Sequence, residues 1–92
     1  MEVYKFIVHG KVQGVFYRKF VSQNAMKKGF EGYIKNLDNG DVEAVAVIYD
    51  DKELEEFREI LKKGSPLSRV DSIDEYILEE DDLIYDGFEI RS

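Results

Sequence analysis

Several residue types that carry common chemistries are missing or rare in this chain of 92 residues. It has no cysteine, which excludes a disulfide framework, a thiolate nucleophile and cysteine-ligated zinc or iron–sulfur sites. It has no threonine or tryptophan, and a single histidine, His9, excludes a histidine-rich metal site. Any reaction must therefore depend on arginine, lysine, amide, hydroxyl and carboxylate side chains together with backbone amides.

Positive charge is scarce relative to negative charge. The formal net charge is −7, and it is unevenly placed, because residues 1–49 carry +2 and residues 50–92 carry −9. Nucleic acids and anionic membranes bind basic surfaces, so neither is an expected partner. No apolar run approaches the roughly 20 residues of a membrane span, and the N-terminus lacks the basic start and apolar stretch of a signal peptide. We therefore expect a cytoplasmic protein.

The chain has the length of one domain, residues 1–92, and its 43% hydrophobic content is sufficient for one core. Hydrophobic periodicity predicts the order β-α-β-β-α-β with a small additional strand. This order indicates an α+β, ferredoxin-like split βαβ fold, in which two helices cover one face of an antiparallel sheet. The predicted strands span 3–8, 30–37, 42–49, 70–78 and 85–91; the predicted helices span about 16–28 and from 50–51 to Gly64.

Short sequence signals support two of the predicted connections. Asn39-Gly40 predicts a hairpin, since both residue types tolerate a positive φ. Asp50 is a predicted N-cap of the second helix, with Glu53 placed as its capping-box partner. The apolar stripe of that helix, Leu54, Phe57 and Leu61, is expected in the core.

The most informative segment joins the first strand to the first helix. Gly10 and Gly14 bracket a short loop, and Arg18 follows in the first turns of the helix. Glycines let backbone N–H groups converge, and a helix N-terminus adds unpaired donors and the positive end of a dipole. Such a concavity suits an anion the size of phosphate, and the planar fork of Arg18 matches two phosphate oxygens. The same residues also fit a plain tight turn with a surface arginine, and the G-x-x-x-x-G-K-[ST] pattern of nucleotide-binding loops is missing.

Residues 10–18, Gly-Lys-Val-Gln-Gly-Val-Phe-Tyr-Arg, closely resemble the acylphosphatase signature G-x-V-Q-G-V-x-F-R. Residues 32–42, Gly-Tyr-Ile-Lys-Asn-Leu-Asp-Asn-Gly-Asp-Val, resemble the second signature of that family. The resemblance continues through 64–66 and 87–90 and so covers essentially the whole chain. Tyr17 stands where the family usually has Phe, which adds only a hydroxyl at a position expected in the core.

The resemblance implies an acylphosphatase, an enzyme that hydrolyses acyl (carboxyl) phosphates to a carboxylate and inorganic phosphate without a metal or other cofactor. By position, Arg18 and the preceding loop amides would bind the phosphoryl group of this small-molecule substrate, and Asn36 would hold the attacking water. Inorganic phosphate is then expected as product and competitor, and a small, charged domain is expected to be a monomer. The residues implied in binding are Gln13, Gly14, Val15, Phe16, Tyr17 and Arg18.

The residue inventory suits this chemistry. A carboxylate whose conjugate acid has a pKa of about 4 is a good leaving group, so no general acid is needed to protonate it. Phosphoryl transfer passes through a loose transition state, for which positioning and charge stabilisation dominate. The amide of Asn36 can accept a hydrogen bond from water but cannot act as a base.

Other residues are given structural interpretations. His9 is expected to be a plain surface histidine on the solvent face of its strand, and Lys35 should face away from Asn36. The side chain of Gln13 is expected to tie down the loop. Ile90 should point inward with Phe88, and the acidic residues 79–82 should form a solvated turn.

Two alternative functions stay open from the sequence. One is a metabolite-binding or RNA-binding module of the same fold; the negative net charge disfavours the RNA version. The other is an acylphosphatase-like part of a larger maturation protein that handles carbamoyl phosphate. The short chain favours a free-standing enzyme over a domain fused to a larger one.

Overall fold

A computed structural model describes residues 1–79 and 85–92 and confirms the predicted order of elements. The acidic turn predicted over 79–82 lies, apart from Glu79, outside the described residues. The strands are β1 (Glu2–Lys11), β2 (Gly32–Asn36), β3 (Val42–Ile48), β4 (Arg69–Leu78) and β5 (Phe88–Arg91), and the helices are α1 (Tyr17–Lys27) and α2 (Asp51–Lys63).

The strands form one sheet in the order β4-β1-β3-β2-β5. The pairs β1–β3, β1–β4 and β2–β3 are antiparallel, as the ferredoxin-like fold requires, and the additional strand β5 pairs in parallel with β2. Because β1 and β2 both run antiparallel to β3, they run parallel to each other, and β5 shares their direction. The carboxyl ends of β1, β2 and β5 therefore meet at one edge of the sheet.

Both helices pack on one face of the sheet, where the main hydrophobic core lies. Phe57 of α2 is fully buried at its centre, and its ring centroid lies 5.2 Å from that of Phe6, 5.1 Å from that of Phe30 and 5.9 Å from that of Phe88. The stripe predicted for α2 is confirmed as core. The opposite face carries a smaller apolar cluster around Val45.

Four local expectations need correction. The first strand continues to Lys11 rather than ending at Val8, because Gly10 and the residues beside it pair with β4, so Gly10 lies in β1 and not at the start of the loop. The second strand begins at Gly32 rather than at Phe30, because the Phe30 N–H donates to the carbonyl of Ala25 and closes helix α1. The hairpin is confirmed, but its connection spans residues 37–41 and only Gly40 has a positive φ, 97°. The last strand begins at Phe88 rather than at residue 85.

The predicted orientation of the last strand is half correct. Phe88 is buried in the core, but Ile90 is 49% exposed. The two side chains lie on the same face of β5, which is an edge strand, so Ile90 is open to solvent although Ile34, its partner in β2, is buried.

Among the described residues, no helix is long and apolar enough to cross a membrane. The cytoplasmic location and the monomeric state stay predictions.

Candidate active site

The sheet edge where β1, β2 and β5 end carries a cavity of about 320 Å³. This cavity brings together residues of both signatures, which are separated in sequence, because β1 and β2 flank β3 and have their carboxyl ends at the same edge of the sheet. Of the residues expected in the site, only Val15 is missing from the lining. The lining residues are Val12, Gln13, Gly14, Phe16, Tyr17, Arg18, Lys19, Asn36 and Ile90.

The backbone of the loop is shaped by residues in the left-handed region. Gly14 has a φ of 73° and Phe16 a φ of 62°, at alternate positions just before α1. Turns of this kind direct successive N–H groups into one concavity, and the first N–H groups of the helix add to it. Gly10 is required by close approach, since a Cβ there would lie 2.1 Å from the carbonyl oxygen of Arg69 in the paired strand.

Hydrogen bonds from two side chains fix the loop to neighbouring segments of the fold. The Gln13 Nε2 donates to the carbonyl oxygens of Leu37 at 2.8 Å and Asp41 at 2.9 Å, which confirms its structural interpretation. The buried Ser65 Oγ donates to the carbonyl of Val15 at 2.6 Å. The side chain of Val15 is itself buried in the core. Sequence reasoning missed Ser65, although the matching segment at 64–66 was a signal for it.

Arg18 lies in the first turn of α1 and is anchored by the last strand. Its Nη1 donates to the main-chain carbonyl of Arg91 at 3.0 Å. The Arg91 guanidinium lies 4.1 Å from the ring centroid of Tyr33, whose hydroxyl donates to Glu43 at 2.9 Å. Burial, followed by that hydrogen bond, raises the pKa of Tyr33 to about 12, so the phenol stays protonated. A guanidinium has five N–H donors and can hold this anchor while offering its fork to an anion.

Asn36 ends β2 and lines the same cavity. Its Oδ1 atom is buried and has no hydrogen-bond partner within residues 1–79 and 85–92. A buried carbonyl oxygen is normally satisfied, so this one has acceptor capacity that no described residue uses. Its neighbour Lys35 projects to the other face, where its Nζ lies 3.7 Å from Glu43 Oε2, as expected.

The charge around the cavity is opposite in sign to that of the molecule. The charged residues in its lining are Arg18 and Lys19, both positive, while the chain carries −7. Lys19 was not foreseen, because a lysine beside an arginine on a helix carries no distinctive pattern. The lining contributed by the described residues contains no carboxylate or histidine. The cavity can therefore bind a small anion and orient a polar molecule, but its side chains offer no general base.

Tyr17 lines the cavity but is held in the core. Its side chain is 1% exposed, and its hydroxyl donates to the carbonyl of Leu61 in α2 at 2.7 Å. Burial raises the pKa of this phenol far above its usual range. The tyrosine hydroxyl is thus a core contact between the two helices, in agreement with the position expected for it.

His9 differs from the plain surface histidine expected from the sequence. Its Nε2 lies 2.8 Å from Asp74 Oδ2 and its Nδ1 lies 2.9 Å from Asp41 Oδ2. The hydrogen bond to Asp74, with the charge of Asp41, raises the pKa of the imidazole. Asp74 comes from the neighbouring strand β4 and Asp41 from the turn after β2, so only the folded sheet brings them to His9.

Proteins of known family resemble this chain over nearly its whole length. A family model described as acylphosphatase matches residues 4–90, nearly the whole chain. The chain belongs to the acylphosphatase family. The acylphosphatase of Vibrio vulnificus is 42% identical to it over 88 residues, covering 94% of this chain and 92% of the relative. The family identifies the chain as a hydrolase whose substrates are small acyl phosphates.

Solved structures show the same fold for this acylphosphatase. The crystal structure of acylphosphatase from Bacillus subtilis matches with a TM-score of 0.88 and 37% identity over the full length of both chains. The structure of HypF from T. kodakarensis matches with a TM-score of 0.81 and 32% identity; the match covers all of this chain and 12% of HypF. The ferredoxin-like α+β fold is thereby established.

Proposed function

We propose that this acylphosphatase holds the phosphoryl group of its substrate on Arg18 and the backbone amides of residues 13–18, and orients the attacking water with Asn36. The observation that carries this proposal is the position of Asn36 Oδ1. It is buried and has no partner among the described residues, and Asn36 lines the same cavity as Arg18 and the loop.

The phosphoryl group is bound by donors that are already in place before substrate arrives. The loop is held by Gln13 and Ser65, and Arg18 is held by the carbonyl of Arg91. Donors that need no rearrangement stabilise developing negative charge most effectively, because reorganisation costs nothing at the moment of reaction. The positive lining from Arg18 and Lys19 attracts an anionic substrate despite the negative net charge.

The water is held by the side-chain carbonyl of Asn36, which accepts one of its O–H groups. The oxygen of the water attacks phosphorus while the bond from phosphorus to the acyl oxygen breaks. The carboxylate leaves with the electron pair of that bond. Both protons of the water stay on the new phosphate, so the dianionic substrate and water give a carboxylate and dihydrogen phosphate. The leaving group is weakly basic, so the reaction needs positioning and charge stabilisation rather than a general acid.

Hydrolysis of benzoyl phosphate, followed by ultraviolet absorbance, tests the proposal. We expect turnover, competitive inhibition by inorganic phosphate, and unchanged activity in an excess of a chelator. Phosphate binding without turnover would contradict the enzymatic role and favour a binding module of the same fold. A requirement for an added divalent metal would contradict the metal-free mechanism.

A further inference from the structure

Phe16 begins helix α1 at the cavity and is unusual in two respects. Its φ is 62°, and among residues 1–79 and 85–92 it is the one residue other than glycine with a positive φ. Its side chain is 67% exposed, whereas Phe6, Phe30, Phe57 and Phe88 are at most 6% exposed. The left-handed region is unfavourable for a bulky L-residue, and an exposed ring gains nothing from burial. Neither the backbone nor the core therefore accounts for a phenylalanine at this position.

The ring of Phe16 has an apolar counterpart in the same cavity. Ile90 of β5 lines the cavity and is 49% exposed. The two apolar side chains come from different elements and share the lining with the polar groups of Arg18 and Asn36. The lining thus combines polar groups that suit a phosphoryl group with exposed apolar side chains that the phosphoryl group does not use.

We propose that Phe16 and Ile90 bind the acyl group of the substrate, and that this enzyme prefers acyl phosphates whose acyl group is aromatic. The inference rests on the proposed function, which assigns the phosphoryl group to Arg18 and the loop amides. An acyl phosphate likewise combines a charged phosphoryl group with an acyl group that can be apolar. A cavity of about 320 Å³ has the size of a small-molecule site.

The aromatic preference follows from the geometry of ring contacts. An aryl group can pack on the Phe16 ring in an offset or edge-to-face arrangement, which adds to the gain from burying apolar surface. A methyl group, as in acetyl phosphate, has too little surface to cover both Phe16 and Ile90. The two substrates carry the same phosphoryl group but different leaving groups. The change in their kcat/KM ratio between variants therefore isolates the contribution of the acyl contacts, because the difference in intrinsic reactivity is the same in every variant.

The test compares kcat/KM for benzoyl phosphate and for acetyl phosphate in the unsubstituted chain, Phe16→Gly and Phe16→Leu. Glycine adopts a φ of 62° without strain, so the loop backbone is kept while the ring is removed. We expect the benzoyl-to-acetyl ratio to fall about tenfold in Phe16→Gly, the low end of what apolar pocket contacts contribute to discrimination, and by less in Phe16→Leu. Leu67→Ala is the matched control, because Leu67 is 68% exposed and does not line the cavity; it should leave the ratio unchanged.

Three other outcomes would contradict the inference, and each shows which part of it fails. Hydrolysis of both substrates with an unchanged ratio in Phe16→Gly refutes the acyl subsite and leaves the proposed function standing. An equal loss for both substrates, with weaker inhibition by inorganic phosphate, means that Phe16 only shapes the phosphate-binding loop. Hydrolysis of neither substrate by the unsubstituted chain refutes the proposed function, and the inference with it.

Discussion

Arg18 and Asn36 reach one cavity from two elements and have separable tasks in the proposed reaction. Arg18→Ala should abolish inhibition by inorganic phosphate and lower kcat/KM by about 10²–10³-fold or more, because a charged donor to the phosphoryl group is lost.

Asn36→Ala should lower kcat by about 10²-fold, the typical loss from misplacing a reactant, while phosphate still inhibits. The measurements are kcat, KM and the inhibition constant of phosphate.

A matched control for the asparagine is Asn24→Ala. Asn24 lies on α1, does not line the cavity, and its Nδ2 donates to the carbonyl of Phe20. Its replacement should leave the kinetics unchanged. If Asn36→Ala hydrolysed benzoyl phosphate at the normal rate, the water-positioning role would be wrong.

The ion pairs of His9 predict a pH-dependent contribution to stability. Its pKa is raised in the folded protein by the hydrogen bond to Asp74 and by Asp41. A group whose pKa rises on folding stabilises the fold below its unfolded pKa, which is about 6.5 for histidine, and this contribution is lost as the pH rises through the folded pKa. The free energy of unfolding should therefore exceed that of His9→Gln by more at pH 6 than at pH 9.

Urea unfolding at the two pH values checks this expectation. Asp74→Asn, which removes the stronger partner, should reduce the pH dependence while keeping the histidine. A difference between the unsubstituted chain and His9→Gln that is equal at both pH values would show that protonated His9 contributes nothing.

At the scale of single elements, helix α2 has a well-defined beginning. The Glu53 N–H donates to Asp50 Oδ1 at 2.8 Å, as predicted. In return, Glu53 Oε1 accepts a hydrogen bond from the N–H of Tyr49 rather than from that of Asp50. Asp50→Ala should lower the free energy of unfolding by about 1 kcal/mol, because one helix N–H loses its partner.

Chemical denaturation measures the effect, with Asp50→Asn as the control. Asparagine caps a helix about as well as aspartate. The free energy of unfolding of this variant should therefore lie within roughly 0.3 kcal/mol of that of the unsubstituted chain. Equal stability of Asp50→Ala and the unsubstituted chain would show that the cap is not used.

Element identity was largely predictable, because it depends on local periodicity and on turn and capping residues. Both helices and all five described strands were expected, and the early starts predicted for β2 and β5 have one cause. The first residues of β2 and β5 were placed by their apolar character, but Phe30 is buried as the end of α1 and not as part of the sheet. Burial alone does not tell which element holds an apolar side chain.

At the scale of the whole molecule, Phe57 connects α2 to three distant parts of the chain through its ring contacts. Phe57→Ala should lower the free energy of unfolding by about 3–5 kcal/mol, through lost burial and the cavity left behind. Small domains are stable by only about 5–15 kcal/mol, so this variant should lose a large fraction of its stability.

Thermal or urea unfolding gives the comparison with Leu67→Ala. Leu67 is mostly exposed, and its truncation should change stability by no more than about 0.5 kcal/mol. A similar, small loss in both variants would show that the aromatic cluster is not the centre of the core.

The charge distribution also belongs to this scale. The sequence alone placed both signatures in the half that carries +2, and the cavity lining is positive as that half would suggest. None of the acids among the described residues lines the cavity, and salt screens charges that lie farther away than about 10 Å. Local charge rather than net charge therefore governs the binding of an anionic substrate.

The sequence by itself determined the element order, the fold class, the family resemblance and the two signatures, because these depend on periodicity and on residue types at fixed spacing. Tertiary structure decided which residues face the cavity. It placed Ile90 at the cavity rather than inside, paired His9 with two carboxylates, and tied the loop to Ser65 and the arginine to Arg91. Each of these is a contact between residues far apart in the chain, and no local pattern encodes such contacts before the sheet has formed.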